Sequence, residues 1–335
     1  MEQGDPRGEL IAVQLALEDR PKDPALVMRE SELLDEHRKL WLGIDMGIGL
    51  IGRELVVEWK RGFFRRVEMR TEYESSCSFA YETAVDLPCM ALVDDLAVGV
   101  GCSYNGRGDD EGDILKALGK HPSPTVCSLA LTSFEFELSW THVGDLSLAR
   151  LEQFPKLTAL SIMAGRMTLG AIALPKLRRL SLVTGGMPAH VLASIAAASW
   201  PVLDDLEVYF GTDNYGGTCT LADAEPLLDG AAVPAVTRLG LCNAEFGDEL
   251  AIAVARSKIL PRLRRLDLSL GTMGPAGAQA ILDAADRFAH LDQLSLDDNY
   301  LPPELVAELV RRLPRVTATG QKIEDEYGRF VSVSE

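Results

Sequence analysis

One short phrase, L-x-x-L-x-L, recurs along this 335-residue chain and limits what the chain can fold into. It is plainest at Leu291, Leu294 and Leu296, at Leu263, Leu266 and Leu268, and at Leu177, Leu180 and Leu182. Further copies begin at Leu157, Leu203 and Val236, and looser ones at Phe64, Val93 and Val126. Successive starts lie 20 to 33 residues apart. The residue between the second and third apolar positions reads Glu68, Ala97, Ala130, Ser161, Ser181, Glu207, Gly240, Asp267 and Ser295. No large apolar side chain stands there, so each copy alternates with period two, as a strand does when one face is buried and the other open. A unit this short cannot bury its own apolar face; stacking on the next unit buries it.

The stretches between copies read as helices. Gly112 to Leu118, Pro188 to Ala198, Asp248 to Ser257, Pro275 to Phe288 and Pro303 to Leu313 place Ala and Leu at three-to-four spacing. Several follow Gly or Pro and carry an acid in the first turn. The 20-residue spacing from Leu157 to Leu177 leaves no room for a helix, so an extended or one-turn crossover is expected there. Strand, turn, helix and return make an α/β unit. Helices are about 10 Å wide and strands about 4.8 Å apart, so a stack of such units bends, with its parallel sheet on the concave side and helices on the convex side.

The totals exclude more than they assign. With 47% apolar and 25% charged residues the chain belongs to the globular class. Its net charge of -17 repels phosphate backbones and anionic lipid, so neither nucleic acid nor membrane is expected as a partner. A basic protein or peptide would be attracted. Cys77, Cys89, Cys102, Cys127, Cys219 and Cys242 are scattered without a C-x-x-C pair, and His37, His121, His142, His190 and His290 lie far apart. Neither a disulfide framework nor a metal site is expected. The polar start from Met1 to Asp5 does not resemble a secretory signal, and no apolar run approaches the roughly 20 residues of a membrane span, so the cytosol is the expected compartment. No nucleophile-elbow, phosphate-loop or zinc-protease motif occurs, and no cofactor is expected. Ser103 to Asp113 is acidic and glycine-rich but lacks the ligand spacing of a calcium loop.

From about residue 60 to 320 the repeated phrase resembles the leucine-rich repeat superfamily in its helix-containing, ribonuclease-inhibitor-like form. That resemblance implies a curved solenoid used as a binding scaffold. The family's Asn or Cys eight residues after the first Leu, which bonds neighbouring turns, is matched only by Asn299; Gly101, Gly165, Gly185, Gly211 and Gly271 hold five of the other sites. The start of the chain, through Leu10, Val13, Leu17 and the segment from Ser31 to Gly43 with Trp41, is similar to the bacterial repeat-companion domain, a helical segment that precedes such repeats. Trp59, Gly62 and Phe63 resemble its entry into the first strand. Leu10, Val13 and Leu17, then Met28, Leu33, Leu34 and Leu40, offer two apolar faces that would cover the open end of the stack. The expected organisation is a helical cap over 1–58, the repeats over 59–315, and a hairpin-like cap over 316–335, where Val316 to Gln321 and Arg329 to Val333 flank the turn Asp325 to Gly328.

Candidate binding residues lie on the open face and its rim. Arg179, Asp205, Arg238 and Arg265 share one column, as a self-neutralising ladder or a charged platform. In the next, Glu207 and Asp267 flank Gly240, leaving room for a ligand's Lys or Arg. The turn after the sixth repeat strand carries Tyr209, Asp213 and Tyr215 in a glycine-rich loop, with Phe210 expected in the core. Asp297, Asp298 and Tyr300 are expected on the same rim, and Phe134, Phe136 and Trp140 in a second rim insertion over Ser133 to His142. Together these point to a non-catalytic scaffold that binds a protein or peptide. The alternative, by analogy of fold alone, is a regulatory accessory such as a GTPase-activating protein.

Overall fold

The computed structural model describes residues 5–42, 55–70, 76–102, 112–132, 134 and 137–334. The acidic segment 103–111, Phe136, Gly43 and the first four residues, all read above, lie outside the described residues. Fourteen strands form two sheets among the described residues. The large sheet has eleven: β1 (Leu55–Lys60), β2 (Phe63–Met69), β3 (Asp95–Gly99), β5 (Ser128–Thr132), β7 (Ala159–Met163), β9 (Arg179–Val183), β10 (Asp205–Gly211), β11 (Arg238–Ala244), β12 (Arg265–Asp267), β13 (Gln293–Ser295) and β14 (Val316–Thr317), neighbours in that order. All its pairings are parallel except that of β1 with β2. The small sheet joins β4 (Gly101–Cys102), β6 (Thr141–Asp145) and β8 (Arg166–Thr168).

The register is unbroken. Val67, Leu96, Leu129, Leu160, Leu180, Leu206, Leu239, Leu266, Leu294 and Val316 stand opposite one another from β2 to β14. The three apolar positions of all nine copies are buried, none more than 3% exposed. A one-residue slip would turn every such side chain to the open face, which is why the stripes fix the register so firmly. These side chains join one apolar core that runs from Phe64 to Ala318 and includes the buried sides of the helices. The helices Ala189–Ala197, Leu221–Asp229, Gly247–Arg256, Pro275–Asp283 and Pro303–Arg312 pack each against the next, and Cys77–Ala84 against Asp113–Lys120. The short crossover after β7 holds β8 and no helix, as its length requires. Two helices escape the sequence reading. Leu221–Asp229 contains Pro226, yet a capping box between Thr220 and Asp223 starts it and Gly230, in the left-handed region, ends it. Cys77–Ala84 is short and follows one of the looser copies. Among the described residues no helix is long and apolar enough to cross a membrane.

At the first edge, α1 (Arg7–Asp19) and α2 (Pro24–Leu42) bury Leu10, Val13, Leu33 and Trp41 against each other. Trp41 meets Trp59 at 5.5 Å between ring centroids, and Trp59 meets Phe64 edge-on at 4.5 Å. An aromatic chain thus joins the helical pair to the sheet. Gln14 adds a polar tie: its Oε1 accepts from the Gly62 N–H at 2.7 Å while its Nε2 donates to Glu30 at 2.8 Å. Met28 and Leu40, expected in this seam, are 62% and 61% exposed instead. The boundary drawn at 58 falls inside β1, which pairs antiparallel with β2 through a two-residue turn. Arg61 and Gly62 both have positive φ there, the geometry of a tight hairpin.

The far end departs most from expectation. Among the described residues of this end only Val316 and Thr317 form a strand, parallel to β13, and no hairpin closes the sheet. The turn Asp325 to Gly328 is present, as an isolated bridge. Beyond it the chain runs back along the loops at the C-terminal ends of the strands. Phe330 N–H donates to the Tyr300 hydroxyl at 2.7 Å, and that hydroxyl donates to the Phe330 carbonyl at 3.1 Å. Ser332 N–H reaches the Leu270 carbonyl at 2.8 Å, and Ser332 and Val333 N–H both reach Asn243. Ser334 then lies so close to Gly185 that a side chain there would strike its backbone. The tail is therefore a strap over several units. Nothing periodic in residues 321–334 marks it, because its hydrogen-bond partners lie as far as 90 residues away in sequence and Gly185 lies farther still.

Candidate functional site

Parallel register places three rows of side chains on the open sheet face. The first is Arg179, Asp205, Arg238, Arg265 and Gln293; the second is Ser181, Glu207, Gly240, Asp267 and Ser295. In the third, Tyr209 stands opposite Cys242. Because Gly240 has no side chain, the sheet opens at its position into a depression of about 220 Å³. The first row and the second from Glu207 to Ser295 line it, with Glu207 on one side and Asp267 on the other. That volume is below the roughly 300–1,000 Å³ of small-molecule sites, so it suits a single long side chain better than a cofactor. A Cβ on Gly240 would lie 3.1 Å from Glu207 Cγ and 3.5 Å from Cys242 Sγ, so the gap is bounded by both.

The charges around the depression are unequally satisfied. Arg238 is held by Asp204 at 2.7 Å and Asp205 at 3.2 Å, and Arg179 leans on Asp205 at 3.9 Å. This part of the column is the self-neutralising ladder. Among the described residues Glu207 accepts a hydrogen bond from the Ser181 hydroxyl at 2.6 Å. Asp267 accepts from the Ser269 N–H at 2.9 Å and is also met by the Cys242 thiol. Each acid keeps lone pairs for a ligand. Arg265 has no ion pair within 4 Å among the described residues; its neighbours across the sheet are Arg238 and the neutral Gln293, and the Asp292 carboxylate feels its charge from farther off. The field of the acids is felt at Cys242: burial pushes its thiol well above the usual range, and Asp267 and Glu207 push it further. Tyr209 is raised by burial first and then by Cys242, Glu207 and Asp267. Both groups therefore stay protonated at neutral pH. The buried thiol is a neutral wall and not a nucleophile.

The rim residues part company. Asp213 is exposed and Tyr215 half-buried in the turn Asp213–Tyr215, whose backbone folds against Gly186. Phe210 is buried and meets Phe246 edge-on at 5.0 Å, in the core as expected. Tyr300, expected on the surface, is 9% exposed and lies under the strap, with Lys322 over its ring at 4.8 Å. Asp297, also expected to face a partner, spends its oxygens inside the protein. It accepts from Thr319 N–H at 2.6 Å, from the Thr319 and Thr317 hydroxyls at 2.9 and 2.8 Å, and from Ser295 at 3.2 Å. Asp298 sits half-buried beside Gly320 with positive φ. These three residues shape the end of the sheet and its strap. Tyr209, Glu207 and Asp267 are the predicted residues that meet at one place, with Gly240 and Arg265 beside them.

Asn299 does what the repeat pattern asks: its side chain donates to the Leu268, Leu296 and Asp297 carbonyls and accepts from Met273 N–H at 3.1 Å. Asn243, one residue short of the equivalent position and so outside the repeat pattern, grips the strap instead. Among the described residues no group of three or more His, Cys, Asp or Glu is arranged to hold a metal, and Cys77, Cys89, Cys127, Cys219 and Cys242 are free thiols. A larger hollow of about 340 Å³ near Tyr81, Met90, His121 and Pro124 is mainly apolar and lacks a paired set of charges.

No protein-family model matches the sequence, and no curated protein matches it. Among solved structures, the chain is similar to a structural-genomics crystal structure of a protein from Bacteroides fragilis, with a TM-score of 0.70 and 24% identity over 93% of this chain and 87% of that one. At that identity the likeness concerns the fold alone.

Proposed function

We propose that the chain is a leucine-rich-repeat protein of the helix-containing kind, a curved solenoid capped by a repeat-companion-like helical pair, and that it works as a non-catalytic scaffold for a protein or peptide. The continuous register of buried stripes supports the repeat reading, and the unequal widths of helix and strand make such a stack bend. The binding face is the open sheet at Glu207, Gly240 and Asp267. The observation that carries this reading is the juxtaposition of two acids, one strand apart on either side of a glycine, above a depression sized for one long side chain. A Lys or Arg entering it would gain charge-assisted hydrogen bonds from both sides, worth about 1.5–3 kcal/mol each in a half-buried place. The net charge of -17 adds long-range attraction for a basic partner.

The test is affinity capture from a native extract with the intact chain and with a Glu207→Gln, Asp267→Asn double variant. The reading expects a partner enriched by the first and lost by the second. Enrichment that is the same for both would contradict it.

A further inference from the structure

We propose that the depression over Gly240 reads the C-terminal residue of a peptide, a Lys or Arg with its free α-carboxylate on Arg265. This rests on the peptide-binding reading of the open face and adds the anion that the acids alone do not explain. Arg265 and Asp267 are two residues apart on β12 and point to the same open side. Gly240 stands opposite Asp267 and Arg238 opposite Arg265. Arg238 is already neutralised by Asp204 and Asp205, whereas Arg265 makes no ion pair within 4 Å among the described residues and feels the Asp292 carboxylate only at longer range. A guanidinium set between a second guanidinium and a neutral amide, at the mouth of the depression, is placed for an anion. Its planar fork suits a carboxylate, which it binds through two parallel N–H donors.

The spacing selects the ligand. Two residues along a strand cover about 6.6 Å and one strand spacing about 4.8 Å, so anion and cation sites lie about 8 Å apart. An extended Lys or Arg spans about that distance from its own carboxylate to its side-chain cation, on a stem of three or four carbons. One residue at a chain end then satisfies Arg265, Glu207 and Asp267 together. An internal Lys carries no such carboxylate, and its flanking amides are neutral.

The experiment is fluorescence anisotropy with the full chain and three labelled glycine-serine peptides: one ending in lysine as the free acid, the same peptide amidated, and one with an internal lysine followed by aspartate. Loss of a bidentate charge-assisted contact costs about tenfold or more in affinity, so the free acid is expected to bind at least that much more tightly than the amide. In Arg265→Gln the acid and the amide are expected to bind alike. Equal binding of acid and amide by the unaltered chain overturns the terminal reading and leaves the basic-peptide reading standing. Tighter binding of the internal lysine-aspartate peptide assigns the anion to a side chain and overturns it too. If none of the three binds and the Glu207→Gln, Asp267→Asn variant behaves the same, both readings fall.

Discussion

Asn243 clasps Val333 from both ends of its amide. The Nδ2 donates to the Val333 carbonyl at 2.6 Å, and Oδ1 accepts the Val333 N–H at 2.8 Å and the Ser332 N–H at 3.0 Å. Asn243 is fully buried and has φ of 59°, a left-handed conformation that Asn tolerates better than most residues. Asn243→Ala loses the clasp and adds backbone strain, for an expected destabilisation of about 2–4 kcal/mol. Asn243→Gly loses the clasp alone and is expected to cost less. Urea unfolding measures both, and exchange of the Ser332 and Val333 amides should speed up in each variant. Unchanged exchange would show that the strap is held by other contacts.

Asp297 makes the end of the sheet sensitive to acid. Burial opposes its ionisation, but the Thr319 N–H and the Thr317, Thr319 and Ser295 hydroxyls outweigh burial and hold its pKa below the usual carboxylate value. A group depressed in the folded state stabilises fully above its unfolded pKa, about 3.9 for Asp, and loses that contribution as pH falls through the folded value. Asp297→Asn is therefore expected to lower stability at pH 7 and to flatten its fall below about pH 4. Urea midpoints at pH 7 and pH 3 for both proteins check this; parallel pH profiles would contradict it.

The buried and open faces of one strand should respond oppositely to substitution. Leu206 is fully buried between Leu180 and Leu239, and Leu206→Ala is expected to cost about 2–5 kcal/mol. Glu207→Gln keeps an acceptor for Ser181 and is expected to stay within about 0.5 kcal/mol. Chemical denaturation of the two variants reads out the difference.

The stripes were legible because period two survives any change of loop. Leu180, Leu206 and Leu266 had to share a sheet once their alternation was seen, and the open-face neighbours of Gly240 followed from the same register. The strap was not legible. Tyr300 and Asp297 look like rim residues in a local window, and only the return of residues 321–334 covers them. Long-range side-chain clasps such as Asn243 with Val333 leave no periodic trace. The helix Leu221–Asp229 was hidden by Pro226, whose cost is offset by the cap at Thr220 and by packing between its neighbours.

Gly240 separates the depression from the fold. Its φ is not positive, so a β-branched residue suits the strand backbone, and an added Cβ asks only the Glu207 side chain to give by a few tenths of an ångström. Gly240→Val is expected to change stability by less than about 1 kcal/mol while abolishing binding of a lysine-terminated peptide. A variant that unfolds at the unaltered midpoint and still binds would place the ligand elsewhere.

The most direct measurement is a crystal structure of the chain with a bound lysine-terminated peptide. The account predicts the ammonium above Gly240, within ion-pair distance of Glu207 and Asp267. A peptide bound anywhere else, with that depression empty, would contradict it.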